Sequence, residues 1–268
     1  MVKIRNFKKL DLAKINYLQP EGWEDITYYF KFFEEVDFCF PVVAEIDNNI
    51  VGVANCLLNQ GTGWISHIIV SDKFRNQGFG YKLSEYVMNI LFENNCTTQL
   101  LIATKMGENL YERLGFQKSC RYNFYIGNQL DFPKNENIHQ LNASDYDEVF
   151  KLDFSISGEH RENMILQFIS NGYIYEENNS DEISGYFIPD LGDGVILADN
   201  NISGIELLRI KHTLKKCMTV LPAENQAGNN FFIENGFELH NHAYRMVLGN
   251  EVNWKPQSVF CRIGGFYA

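Results

Sequence analysis

The spacing of apolar positions changes period repeatedly along the chain, and each change marks a new element. VKIRNF (2–7) alternates like a strand, whereas apolar residues from Leu10 to Leu18 and from Ile26 to Phe33 recur at helical intervals. PVVAEI, IVGVANCLL and WISHIIV then read as three strands. They are separated by Asp47-Asn48-Asn49 and Gln60-Gly61-Thr62-Gly63, residues that tolerate left-handed backbone, so the three form an antiparallel meander. After the polar stretch Ser71 to Gln77, the residues Phe79, Leu83, Val87, Ile90 and Leu91 lay an apolar face on a helix over 78–92. A short strand QLLIAT, a helix from Glu108 to Leu114 and a strand from Phe116 to Ile126 follow, which adds a strand–helix–strand unit to the meander.

The polar segment NQLDFPKNEN (128–137) contains the only proline between positions 42 and 188 and is the expected linker. Beyond it the pattern repeats in weaker form. Helices are expected over Tyr146–Phe154 and Arg161–Ile169, strands at GYIYEE, ISGYFIP and GVILAD, and a helix over Ser203–Thr213. A strand from Cys217 to Leu221, a helix from Asn225 and a strand from Phe237 to Leu248 complete it. TKMGENLYERLGF (104–116) aligns without a gap on NQAGNNFFIENGF (225–237), which places Tyr111 opposite Phe232. Two tandem copies of one α/β unit, 1–127 and 138–268, is the economical reading.

Composition narrows the class. With 268 residues, 45% hydrophobic and 14% aromatic, the chain has ample apolar surface for folded domains. No apolar run approaches a membrane span and the first residues build no signal-peptide core, so a cytoplasmic protein with no membrane partner is expected. The six cysteines (39, 56, 96, 120, 217, 261) are scattered without CxxC or Cys/His spacing, which suits reduced thiols and argues against metal. Residues 1–130 carry 13 Lys and Arg against 14 Asp and Glu, while 131–268 carry 10 against 20. Nucleic acid is therefore an unsuitable partner, since phosphate binding needs a basic face.

The segment Ile68-Ile69-Val70-Ser71-Asp72-Lys73-Phe74-Arg75-Asn76-Gln77-Gly78-Phe79-Gly80-Tyr81-Lys82 carries the clearest chemistry. An apolar strand enters a glycine-bearing turn and then a helix, so the unpaired N–H groups of Gln77 to Lys82 and the positive helix end make a pyrophosphate cradle. Gly78 and Gly80 admit a bulky anion, and Arg75 and Lys82 add charge. No GK[ST] follows and no third glycine is present, which excludes the ATP-type and dinucleotide loops.

RNQGFG together with NLYERLGF, about 30 residues apart and in this strand order, resembles the GNAT superfamily of acyl-CoA-dependent N-acetyltransferases. RNQGFG matches that family's (Q/R)xxGx(G/A) loop and NLYERLGF its LYxxxGF element, and the resemblance extends over residues 1–126. It implies an α/β fold with a mixed sheet: two tandem GNAT-like domains, each mostly antiparallel, with a splayed parallel pair of strands (Ile65–Val70 and Leu100–Thr104 in the first) and flanking helices. The activity it implies is acetyl transfer from acetyl-CoA to a primary amine of a small molecule or peptide, by direct attack in a ternary complex. The alternative is a regulatory module that binds acyl-CoA with little turnover. Oligomeric state is left open.

Within the resemblance, Ile68, Ile69, Val70, Arg75, Asn76, Gln77, Gly78, Phe79, Gly80, Tyr81, Lys82 and Tyr111 are the acetyl-CoA contacts. The Val70 N–H is an oxyanion donor. Tyr111 is the expected acid for the leaving thiolate. Trp23 walls the acceptor site. No carboxylate stands on the strand 64–70. Alternation from Val70 puts Ile68, Ser66 and Trp64 on one face and His67 on the other unless a bulge intervenes. Ser66 holding a water is thus the expected proton device, and His67 is structural. The second half, with Asn200-Asn201-Ile202-Ser203-Gly204 for a loop and Phe232 for the tyrosine, is expected to have no chemistry of its own. Its acidity suits a cationic acceptor.

Overall fold

Strand β1 (Lys3–Asn6) pairs with β2 (Val42–Ile46), and between them run two short 3-10 turns over 9–18 and helix α1 (Ile26–Glu35). The computed structural model describes residues 2–177, 182–214 and 218–265. Leu10 to Leu18, expected as a helix, is 3-10 in character. Helix α1 is started by Asp25, whose carboxylate accepts from the Thr27 N–H at 2.9 Å. Its Ile26, Tyr29, Phe30 and Phe33 face the core. Truncating Phe30, fully buried, to alanine would cost about 3–5 kcal/mol.

The meander closes as its turn residues dictate. Asp47 and Asn48, both left-handed, join β2 to β3 (Asn49–Asn59), and Gln60 with left-handed Gly61 joins β3 to β4 (Thr62–Val70). Helix α2 (Phe79–Glu93), strand β5 (Thr98–Ala103), helix α3 (Glu108–Arg113) and strand β6 (Gln117–Ile126) complete the first half. The second half repeats the order with β7 (Ile138–Gln140), α4 (Tyr146–Ser157), α5 (Glu162–Leu166), β8 (Tyr173–Glu176), β9 (Ile183–Ile188) and β10 (Val195–Ala198). Then come α6 (Asn201–Leu214), β11 (Met218–Pro222), α7 (Gln226–Glu234), β12 (Glu238–Gly249) and a last short strand β13 (Val259–Cys261).

Sheet topology departs from a simple division of the sequence. One sheet runs β1-β2-β3-β4-β5-β12-β6-β11 and the other β13-β10-β9-β8-β7. Strand β12, from the end of the chain, lies antiparallel between β5 and β6, while β6 pairs on its other edge with β11. Each half therefore lends one long strand to the other across the polar stretch 128–137. The largest apolar cluster accordingly includes Phe7, Trp64 and Leu100 together with Leu152, Val195 and Ile263.

Strands β4 and β5 are parallel but are paired only from Thr62–Trp64 to Thr98–Leu100. Beyond Trp64 they part, and the gap opens toward the N-terminus of α2. Cys39, Cys56, Cys96 and Cys120 are free and buried, Cys261 is buried, and Cys217 lies outside the described residues. Among the described residues no helix is long and apolar enough to cross a membrane.

Candidate active site

Strand β4 supplies one wall of the gap, and a bulge changes which side chains face where. Val53 of β3 pairs with Ile69 and Asn55 with Ser66, so His67 and Ile68 oppose the single residue Ala54. His67 has a φ of 52°, the left-handed conformation that absorbs the extra residue. The expected alternation therefore fails. Trp64 and Ile69 pack on the α1 side, where the His67 ring also lies, 5.6 Å from Phe30 and 5.2 Å from Phe33. Ser66 joins them through Asn55, whose Nδ2 lies 3.4 Å from its hydroxyl, while Ile65, Ile68 and Val70 pack toward α2. His67 thus shares a face with Ser66 and Trp64 and not with Val70.

His67 is nonetheless a poor base. The rings of Trp23, Tyr29, Phe30 and Phe33 surround it, and burial lowers its pKa to about 3, so the imidazole is neutral at physiological pH. Ser66 Oγ lies 3.4 Å from His67 Nδ1 and is itself buried. Trp23 stands over this cluster, 40% exposed, with its ring 6.1 Å from His67. It borders an open depression shared with Asn16, Gln19 and Asp25.

Toward the end of β4 the backbone donors are arranged by simple alternation. The Ser71 N–H donates to Val51 O of β3 at 2.9 Å. The neighbouring Val70 N–H consequently points away from β3, into the gap. Val70 O accepts from Arg75 Nε at 3.3 Å, and Arg75 is also paired with Asp72 at 2.7 Å. Arg75 therefore ties the loop to the end of β4, leaving Lys82 as the exposed cation of the helix start.

The loop itself is shaped by two left-handed residues, Asn76 (φ 60°) and Gly78 (φ 81°). Gly78 caps α2 with no side chain, and Lys82 is the first residue whose N–H turns back onto it, at 3.1 Å. Among the described residues the N–H groups of Phe79, Gly80 and Tyr81 have no intramolecular acceptor, the condition under which a helix N-terminus takes an anion. An added Cβ on Gly80 would lie 3.7 Å from Leu110 of α3 and 3.9 Å from Val70, so loop, α3 and strand end converge. Arg113 of α3 lies over the Tyr81 ring at 5.7 Å and joins the two helices.

Tyr111, on α3, packs with the α2-side cluster beside Phe116, ring centroids 6.0 Å apart. Among the described residues its hydroxyl has no hydrogen-bond partner, and burial raises its pKa, which keeps the phenol protonated. It thus lies on the side of the sheet that carries Val70 and the loop, whereas Ser66, His67 and Trp23 lie on the other. The sheet separates the two sets, and the gap between β4 and β5 connects them.

One residue that no sequence signal marks comes from the second half. Glu159, in the turn between α4 and α5, is 4% exposed, and its Oε2 accepts from Trp64 Nε1 at 2.8 Å and from Thr62 Oγ1 at 2.9 Å. These partners are neutral, and the nearby Arg161 is held by Asp153 in a two-pronged pair at 2.5 and 3.1 Å. Glu159 lines a cavity of about 30 Å³ with Trp64, Ile102, Tyr122, Arg161 and Arg245, enough for one or two waters. It lies where β4 and β5 part, 95 and 97 positions along the chain from its β4 partners Trp64 and Thr62. Among the described residues no three His, Cys, Asp or Glu side chains come together as a metal site.

Similarity to known proteins accords with this geometry. The sequence profile of the acetyltransferase (GNAT) family matches residues 9–116. No curated protein matches the chain in sequence. In structure, a Pyrococcus horikoshii protein assigned as an acetyltransferase has 16% identity over 98% of this chain and 95% of its own, with a TM-score of 0.84. A GCN5-related N-acetyltransferase from Sphaerobacter thermophilus has 15% identity over 92% and 95%, with a TM-score of 0.64. A tandem GNAT protein from the clavulanic acid biosynthesis pathway has 11% identity over 93% and 98%, with a TM-score of 0.63. Residues 9–116 thus match the acetyltransferase (GNAT) family, and the chain as a whole shares the mixed α/β fold of these solved structures.

Proposed function

We propose that this enzyme moves the acetyl group of acetyl-CoA to a primary amine by direct attack in a ternary complex held in the gap between β4 and β5. The observation that carries the proposal is the separation of these strands after Trp64, with unpaired backbone on β4 leading straight to the uncapped N-terminus of α2. An extended ligand with amide groups and a diphosphate at one end matches both features. Phe79, Gly80 and Tyr81 would take the diphosphate on their N–H groups, Asn76 and Gly78 give the loop its curvature, and Lys82 adds charge. Ile68, Ile69 and Val70 would lie along the pantetheine arm, and Gln77 and Arg75 hold the loop, through Lys73 O and Val70 O.

In the reaction the amine nitrogen attacks the thioester carbonyl, the oxyanion is met by the Val70 N–H, and the C–S bond then breaks. The thiolate takes its proton from Tyr111, which burial keeps protonated until then, and the surplus proton on the newly bonded nitrogen returns through water to the phenolate. The amine must arrive unprotonated. Its proton would pass to water near Ser66, and Glu159, on the same face of the sheet, supplies a buried negative charge toward which an ammonium is drawn. Trp23 would bound the acceptor's approach. The excess of acidic residues in the second half favours a cationic acceptor, a small molecule or a peptide amine.

The test is purified protein with acetyl-CoA, a panel of amines and a thiol reagent. CoA release that depends on a particular amine supports the proposal. Tight CoA binding with no amine-dependent release in any member of a broad panel would overturn it in favour of a binding module.

A further inference from the structure

The second half has its own counterparts of the gap-forming strands, β10 for β4 and β11 for β5, and its own helices, α6 for α2 and α7 for α3. In this half the two strands are not paired with each other. Strand β13, from the end of the chain, lies between them. It is antiparallel to β10, with Ile196 opposite Cys261 and Leu197 opposite Val259. On the other edge the Arg262 N–H donates to Val220 O of β11 at 2.9 Å, and Asn225 Nδ2 at the start of α7 donates to Val259 O at 3.0 Å. Phe260 is fully buried against α6, and any side chain on Gly204 would run into its ring. Beyond it, Arg262 pairs with Asp193 at 2.7 Å, and the Asp193 N–H donates to Ile263 O at 2.6 Å.

The anion end of this cleft is closed independently. Where Gly78 leaves α2 without a side-chain cap, Asn200 accepts the Ser203 N–H at 3.0 Å. At the position of Tyr111, Phe232 is buried and stacked on Tyr125, 4.8 Å between centroids.

We infer that residues 259–263 are a built-in peptide ligand of the second cleft, occupying with their own backbone the place an acyl-CoA arm would take, so that each chain holds one acyl-CoA, in the first half. The number rests on the proposed reading of that half, whereas the occupancy of the second cleft does not. A ligand tethered to the same chain acts at high effective concentration, so free CoA at ordinary levels does not displace it.

Two measurements on the full-length protein test this. In hydrogen exchange, the amides of Cys261 and Arg262 are expected to be as protected as those of central β12, and saturating acetyl-CoA is expected to leave them unchanged. Phe260→Ala is expected to raise their exchange rate at least tenfold while the amides of β3 stay protected. In calorimetric titration with CoA, one equivalent is expected per chain, with an affinity at least roughly 30-fold lower for Gly78→Glu. Rapid exchange at 261–262, acceleration by acetyl-CoA, a second bound equivalent, or an equivalent bound with undiminished affinity by Gly78→Glu would each overturn the inference. Protected tail amides in a wild-type protein that binds no CoA would instead overturn the proposed function and leave the tail as the cleft's ligand.

Discussion

Gly78 is the position at which the loop can be perturbed with the least collateral damage. Its φ of 81° would cost an L residue about 1–2 kcal/mol of fold stability. However, no atom lies within 4 Å of the place a Cβ would take, so added bulk meets open space. Gly78→Ala should therefore lower thermal stability slightly and leave CoA affinity within about threefold. Gly78→Glu carries the same backbone strain and adds a carboxylate beside the N–H groups of Phe79 to Tyr81. At roughly 5 Å from a diphosphate, and with an effective dielectric between about 20 and 80, each charge pair contributes about 1–3 kcal/mol of repulsion. Two such pairs, partly screened, amount to about 2–4 kcal/mol, an affinity loss of roughly 30- to 700-fold. Isothermal titration of wild type, Gly78→Ala and Gly78→Glu at 0.1 M and 1 M salt reads this directly. The Glu-to-Ala affinity ratio should shrink at high salt, where the Debye length falls from about 10 Å to about 3 Å. Equal losses in the two variants, or a ratio indifferent to salt, would refute electrostatic capture at this helix end.

Other consequences are as direct. Tyr111→Phe keeps the ring against Phe116 and removes the proton, so turnover should fall about 10²- to 10⁴-fold with little change in acetyl-CoA KM; an unchanged rate makes the tyrosine packing only. Glu159→Gln can still accept from Trp64 and Thr62 but loses its charge, so amine KM should rise about tenfold or more, the worth of one hydrogen bond to a charged group, while the melting temperature holds; identical kinetics would remove Glu159 from acceptor recognition. His67 and His212 are buried with pKa values lowered to about 3, whereas in the unfolded chain they take protons near 6.5. The unfolded state then binds more protons between these values, so stability should fall as pH drops from about 6.5 toward 3. His67→Phe should flatten that slope in a series of melting curves from pH 7 to 4, and an unaltered slope would show that the ring is not held neutral.

The elements and the anion loop are readable from sequence because they depend on residues close together along the chain. Left-handed turn residues at Asp47, Asn48 and Gly61, the apolar stripe of α2 and the glycine start of that helix act within a few positions, so periodicity and turn chemistry suffice. The repeat is legible for the same reason, since 104–116 and 225–237 carry one local pattern twice. Tertiary structure decided what depends on distant partners. The bulge that turns His67 onto the face of Ser66 arises from the register of β4 against β3, and strand parity within WISHIIV alone gives the opposite side. Glu159 reaches Trp64 through burial between the halves, across 95 positions, with no spacing that could announce it. Likewise β12 lies beside β5, and β13 beside β10 and β11, because those edges offered unpaired backbone that a strand from the far end of the chain could satisfy. Such pairings are long-range choices among exposed edges, and local sequence carries no record of which strand fills them.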